Sequence, residues 1–354
     1  MSRVAVVGAG VLGSAIAWRL AESGHKVRIY DPNPGSAASS GSLAWLNASF
    51  AQDPVYNRLR HDSLKIWGRL KAETPDLPIE FDGAILWEQE HFDLHAIHAS
   101  QQELGLPADI LGPSEHLAEE PHVPAPPAQA LACRGDGYGD PQAITAWFLD
   151  SARYAGAEFV GLDVVGAEVQ SGVVTGIRSS AGVERADHVV VAAGIKIPRI
   201  LEPHGFGIAM DNKPGLLVTT SPAPNAKTHA MLATEGLHGW QGEDGRFLIG
   251  ADFGGGEDFG DPDAFARALV RKLGEIIPSA AGCEVERITV RERPMPADGR
   301  PAIGPLGPQG LYVICTHSGM TLAPVIAEMV AREIGGQKDP RLAPYRPERP
   351  SLAP

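Results

Sequence analysis

The sequence predicts an α/β protein in which a parallel sheet is interrupted twice by regions of mixed strands. Three observations carry this expectation. The β-branched run Arg3-Val-Ala-Val-Val-Gly8 leads through glycines at 8, 10 and 13 into a helical stretch, Ser14 to Ser23, and on to the strand Lys26-Val-Arg-Ile-Tyr30. That is one βαβ unit of about 30 residues. Later runs, Val189-Val-Val-Ala-Ala-Gly194 and the segment from Gly310 to Cys315, have the near-continuous apolar character of strands buried on both faces. The stretches between them alternate more loosely and turn on short polar pairs, as mixed or antiparallel strands do.

The elements follow in order. The first helix stops at Gly24. Three later helices begin with one device: Asp53-Pro54, Asp140-Pro141 and Asp261-Pro262 each set an N-cap carboxylate before a proline at the first helical position. The first of these continues through Leu59, Leu64, Trp67 and Leu70 at helical spacing. The second runs to Gly156, and the third ends before Pro278. Ile79 to Trp87 and Leu216 to Thr220 read as strands, 160–194 as several strands, and Gly239 to Asp252 as a hairpin turning at Asp244-Gly245. Pro121 to Pro127 reads as a surface connection and the Pro- and Arg-rich tail after Gly336 as irregular coil.

Composition sets the outer limits. A chain of 354 residues, 44% hydrophobic and 21% charged, has room for two domains and a sizeable core. With 30 Lys+Arg against 43 Asp+Glu the net charge is −13, which repels phosphate backbones and anionic lipid and excludes a general nucleic-acid binder. Cys133, Cys283 and Cys315 lie far apart, with no zinc or iron–sulfur spacing, so three reduced and mostly buried thiols are expected, without a metal centre. The early apolar run Val4 to Leu20 is broken by glycines and lacks the form of a signal peptide, and no stretch of about 20 apolar residues occurs. The expectation is a cytoplasmic protein, or one peripheral to a membrane, with no transmembrane anchor.

The N-terminal glycines have a chemical reading. Gly8-Ala-Gly10-Val11-Leu12-Gly13 follows a strand and opens a helix, the context of a dinucleotide fingerprint. Gly8 makes the tight turn, Gly10 admits a pyrophosphate close to the backbone, and Gly13 lets the helix sit against the strand. Amides at the helix start face the anion. Asp31, at the end of the second strand, is placed to accept from a ribose hydroxyl. The bland alternative is a glycine-rich turn without a ligand, and the motif does not choose between FAD and NAD.

The C-terminal part makes that choice. Arg291-Glu-Arg-Pro-Met-Pro-Ala-Asp-Gly-Arg-Pro-Ala-Ile-Gly304, then Gly310-Leu-Tyr-Val-Ile-Cys-Thr-His-Ser-Gly-Met-Thr-Leu-Ala-Pro324, join the N-terminal fingerprint, Ser36-Ala-Ala-Ser-Ser-Gly-Ser42, Asp140-Pro141 and Val191-Ala-Ala-Gly194 in one order. In these the chain resembles the D-amino-acid oxidase superfamily of FAD-dependent oxidoreductases, near glycine oxidase, sarcosine oxidase and bacterial D-amino-acid dehydrogenase. The resemblance implies a Rossmann-like FAD-binding domain (1–75, 132–205 and 297–354) interleaved with an α+β substrate domain on a mixed or antiparallel sheet (76–131 and 206–296).

It also implies roles. Ser39, Ser40 and Ser42 would line the pyrophosphate and flavin, Val164 would meet adenine through its backbone, and Ala193 and Gly194 would pass close to the cofactor. His317, Ser318, Gly319, Met320 and Thr321 would lie against the flavin's pyrimidine edge, where a helix start also suits the negative charge of reduced flavin. Arg293 matches the arginine that clamps a substrate carboxylate, although a surface arginine paired with Glu292 competes with that reading. No tyrosine occurs between residues 155 and 311, so the family's covering tyrosines are missing. Trp240, His238, Met231, Trp45 and Asn47 are the candidates for an unusual pocket, each also readable as core. No residue matches a covalent flavin attachment, so FAD is expected to be held non-covalently.

The implied reaction is oxidation of the C–N bond of an amino acid (a D-amino acid, glycine or an N-alkyl amino acid) by hydride transfer to flavin N5, giving an imine that hydrolyses. The acceptor, oxygen or a quinone, stays open. Two alternatives remain: a flavin-carrying subunit of a heteromeric dehydrogenase, and an NAD-dependent dehydrogenase resting on the fingerprint alone. Homo- or hetero-oligomers are both compatible with the sequence.

Overall fold

A computed structural model describes residues 1–49, 53–87, 92–251 and 259–353. Eight helices occur among them: α1 (Val11–Glu22), α2 (Pro54–Glu73), α3 (Leu94–Leu104), α4 (Pro113–Glu119), α5 (Pro141–Tyr154), α6 (Ile197–Leu201), α7 (Pro262–Ile276) and α8 (Gly319–Ile334).

The first sheet has six strands in the order Ala302–Pro305, Leu311–Cys315, His188–Val191, Arg3–Val7, Lys26–Tyr30, Glu158–Val160. All neighbours are parallel except the Ala302–Pro305 edge, which pairs antiparallel with Leu311–Cys315. Both faces are covered, which is why its strands read as unbroken apolar runs. Val4, Val6 and Ile29 point into one core with α1, α5 and α8. Ala5, Val7, Val189 and Val191 point into another with α6 and a three-stranded sheet built on Val164–Gln170.

The second sheet has eight strands in the order Val285–Arg293, Lys213–Thr220, Phe247–Gly250, Leu237–Gln241, Met231–Thr234, Ala84–Leu86, Ala130–Cys133, Ala108–Leu111. It is antiparallel apart from the Met231–Thr234 and Ala84–Leu86 pair. The period of two in Lys213–Thr220 sorts its faces. Leu216 and Val218 pack under α7 with Leu269 and Leu273, while Gly215, Leu217 and Thr219 turn the other way, toward the first sheet. The second sheet thus presents one face to the carboxyl ends of the parallel strands, and the strand Ala130–Cys133 crosses the expected division at 131/132.

The Asp-Pro helices form as the sequence predicts. Asp53, Asp140 and Asp261 accept from Val55, Ala143 and Asp263 backbone N–H groups. The hairpin turns at Gly245, in the left-handed region at φ +79°; its expected end at Asp252 lies outside the described residues. Two expectations need correction, and one stretch without an assignment from sequence takes a definite form. The first helix begins at Val11 rather than Ser14, because the Ser39 hydroxyl accepts its first N–H at 3.0 Å. The stretch between Trp87 and Pro121 holds α3 and α4, capped by Asp93 and opened by Pro113. The tail is not irregular throughout: two 3-10 turns form in it, and it is held down by Arg349 paired to Asp298 and Arg346 to Glu333.

Candidate cofactor cleft and active site

A cleft of about 350 Å³ opens at the carboxyl ends of the parallel strands. At its centre is the Gly8–Gly13 turn. Gly8 sits at φ +104°, and a Cβ there would lie 2.5 Å from the Ala192 carbonyl oxygen; one on Gly13 would lie 1.9 Å from the Gly8 oxygen. The two glycines are therefore demanded by the turn and by helix-on-strand packing, before any ligand is considered. Asp31 ties the turn to the second strand: one oxygen accepts from Ala9 N–H and the other from Asn33 N–H, each at 2.8 Å. A carboxylate has lone pairs beyond these two bonds, so this bracing leaves capacity for a hydroxyl.

Two helix N-termini share the cleft. The start of α1 meets the start of α8, where a Cβ on Gly319 would come within 3.5 Å of Val11 Cγ1. Both direct backbone N–H groups and a positive dipole end toward anionic groups. At the α8 end the Thr316 hydroxyl lines the cleft, buried and without a hydrogen-bond partner among the described residues. Lys196 adds a cation to the wall, 3.6 Å from Asp163. A cleft with a glycine turn, two helix termini and an unsatisfied hydroxyl fits a dinucleotide.

Most residues anticipated from the sequence meet here. Gly8, Gly10, Val11, Leu12, Asp31, Ser39, Ser42, Val164, Ala193, Gly194, His317, Gly319 and Met320 line the cleft. Four do not. Gly13 lies beneath the turn, and Ser318 sits at the N-cap of α8. Ser40 donates to the Ser36 and Ala37 carbonyls and faces an adjoining cleft. Thr321 is buried: its hydroxyl donates to the Trp45 carbonyl at 3.2 Å, and its own carbonyl accepts from Ser63 and Trp67. Sequence reasoning missed Pro32, Asn33, Gly35 to Ala38, Asp163, Lys196, Pro294 and Thr316, all of which line the cleft. Pro32-Asn-Pro-Gly35, turn residues directly after a strand, was the available signal.

Arg293 ends the strand Val285–Arg293, half-buried, with its neighbour Pro294 in the cleft wall. Strand alternation puts Glu292 on the opposite face, so the competing Glu292 pairing has no geometric support. Arg291, on the same face as Arg293, donates from Nε to the Ser36 carbonyl at 2.9 Å. Its Cβ also lies 2.6 Å from where a Cβ on Gly41 would stand. The strand bearing Arg293 is thereby stitched to the 36–42 loop.

The aromatic candidates are pillars. Trp240, 9% exposed, donates its indole N–H to the Leu43 carbonyl at 2.8 Å and stacks on Tyr138. That bond braces the loop before Trp45, and the ring also lines the adjoining cleft. Met231 packs in the same apolar cluster. Trp45 donates to buried Asp136 at 3.0 Å, and Asn47 holds the Arg60 guanidinium. Burial pushes Asp136 up to about 7, against hydrogen bonds from Trp45, Ser49 and Ala48 N–H and the Arg60 charge that hold it down. Cys133, Cys283 and Cys315 are free thiols, the first and last buried. Among the described residues no helix is long and apolar enough to cross a membrane.

Fold and cleft together define a dinucleotide-dependent enzyme of two interleaved sheets. A family model for the FAD dependent oxidoreductases named DAO matches residues 3–333, and the chain belongs to that family; its cofactor is FAD. Glycine oxidase from Bacillus licheniformis is 26% identical over 94% of this chain and 92% of its own length. An opine oxidase subunit from Rhizobium meliloti is 23% identical over 94% and 93%. The crystal structure of glycine oxidase from Geobacillus kaustophilus superposes with a TM-score of 0.88 at 25% identity, covering 99% of each chain.

Proposed function

We propose that the protein oxidises the carbon–nitrogen bond of an amino acid or N-substituted amino acid whose carboxylate is gripped by Arg293. The observation that carries this reading is the position of Arg293. It ends the strand that Arg291 ties to the 36–42 loop, on the same sheet face as Gly215, with the next residue in the cleft wall. FAD, when bound, supplies the two-electron acceptor. The chain's own part is positioning and electrostatics. The α1 amides, Ser39, Asp31 and the Val164 backbone would hold the dinucleotide, and the α8 terminus with Thr316 and His317 would meet the flavin's polar edge. Arg293 would fix the carboxylate so that the adjacent C–H faces the cleft. No side-chain general base is required.

Cys315 lines the cleft, but burial pushes its thiol up to about 12, a poor state for nucleophilic attachment; this supports non-covalent FAD. A visible spectrum taken without oxygen, before and after D-amino acids, glycine and N-alkyl amino acids, tests the activity. Bleaching by one class supports the reading and names the substrate, and readmitted air separates an oxidase from a quinone-linked dehydrogenase. A second reading, a flavin-carrying subunit of a larger enzyme, draws support from the likeness to the opine oxidase subunit. A yellow protein that no amino acid bleaches favours it.

A further inference from the structure

We propose that Gly215 is the positioning residue for Arg293: its missing side chain leaves the room that the guanidinium occupies to grip a carboxylate. The inference rests on the carboxylate reading of Arg293 above. A Cβ built on Gly215 would stand 2.5 Å from Arg293 Nε, 2.5 Å from Nη2 and 2.8 Å from Cζ. The point is nearer the two nitrogens than the carbon between them, so it lies off the Nε–Nη2 edge of the guanidinium, and a methyl there would collide with that edge.

The register explains why this room is needed. Arg293 is paired across the ladder with Lys213, and Arg291 with Gly215. The Arg291 side chain leaves its own station to reach the Ser36 carbonyl over Gly41. Arg293 leans back into the space above Gly215. The next residues on that face, Leu217 and Thr219, carry side chains, so Gly215 is a notch in the row. Its backbone is outside the left-handed region, and the conformation itself does not call for glycine. The demand comes from Arg293.

An alanine at 215 must lift the guanidinium by roughly an ångström to restore ordinary contact. A two-pronged carboxylate pair tolerates about 0.5 Å, and misplacement on the order of 1 Å costs up to about 100-fold. In FAD-loaded protein, the dissociation constants of acetate and benzoate are read from their perturbation of the flavin absorbance, for wild type, G215A, R293K and the double variant. G215A is expected to bind both about 10- to 100-fold more weakly, and to raise the KM of the substrate while kcat moves less than about threefold. FAD affinity and melting midpoint stay those of wild type. In the R293K background, where a slim stem replaces the plane, the alanine adds less than about twofold.

Wild-type carboxylate binding by G215A, with R293K weakened, overturns the role of Gly215 and leaves the clamp standing. Wild-type binding by R293K removes the clamp and this inference with it. Lost FAD binding or a large fall in melting midpoint for G215A overturns the inference too, because the conflict then lies in the strand. Equal weakening by the alanine in both backgrounds does the same.

Discussion

Asp136 makes a sharp test of the buried network beneath the cofactor loop. Its carboxyl is 1% exposed and bonded to Trp45 and Ser49, yet burial raises it from the usual 3.8 to about 7. An acid raised in the folded state contributes stability that is complete below the unfolded value, near 4. That stability is lost as pH rises through the folded one, near 7. At about 1.4 kcal/mol per tenfold change, the window between them amounts to about 4 kcal/mol. Asp136→Asn keeps the shape and an acceptor for Trp45 but removes the titration. Urea unfolding of both proteins at saturating FAD, from pH 4.5 to 8, should show the difference in stability swinging toward the asparagine variant as pH rises. Buried Glu120, also raised to about 7, affects both proteins equally and cancels. A difference that stays flat across this range would refute the argument. It would mean that Arg60 and the three donors hold Asp136 ionised throughout.

The other predictions concern packing. Gly13→Ala places a carbon 1.9 Å from the Gly8 oxygen and should yield protein that retains no FAD after gel filtration, having lost on the order of 3 kcal/mol or more. Trp240→Phe keeps the stack on Tyr138 but strands the Leu43 carbonyl. A loss of about 1–2 kcal/mol in unfolding free energy, with a weaker hold on FAD and little change in KM, should follow. Arg349→Ala removes a pair only 14% and 17% exposed and should cost about 3 kcal/mol in the same assay. Asp298, which that pair and Ser351 hold down at about 2, should then titrate nearer its ordinary value by NMR.

Local rules explain what the sequence alone determined. Strand type, the Asp-Pro helix starts and the glycine turn depend on neighbours within a few residues, where backbone sterics and capping decide the outcome. Hence Gly8, Gly10, Asp31 and the two-faced apolar strands were legible from residue order. The α3 and α4 helices were not, because their polar faces hide a weak apolar period and their caps lie among proline and histidine. Tertiary structure decided everything that depends on contacts across long sequence separations. The indole of Trp240 reaches Leu43 across nearly 200 residues, and Thr321 faces Trp45 and α2 rather than the cleft. Arg293 rests on a glycine 78 positions earlier. Nothing in the order of residues near 215 or 293 records that contact. It exists because two antiparallel strands fall into one register, and the register sets which side chain covers which gap.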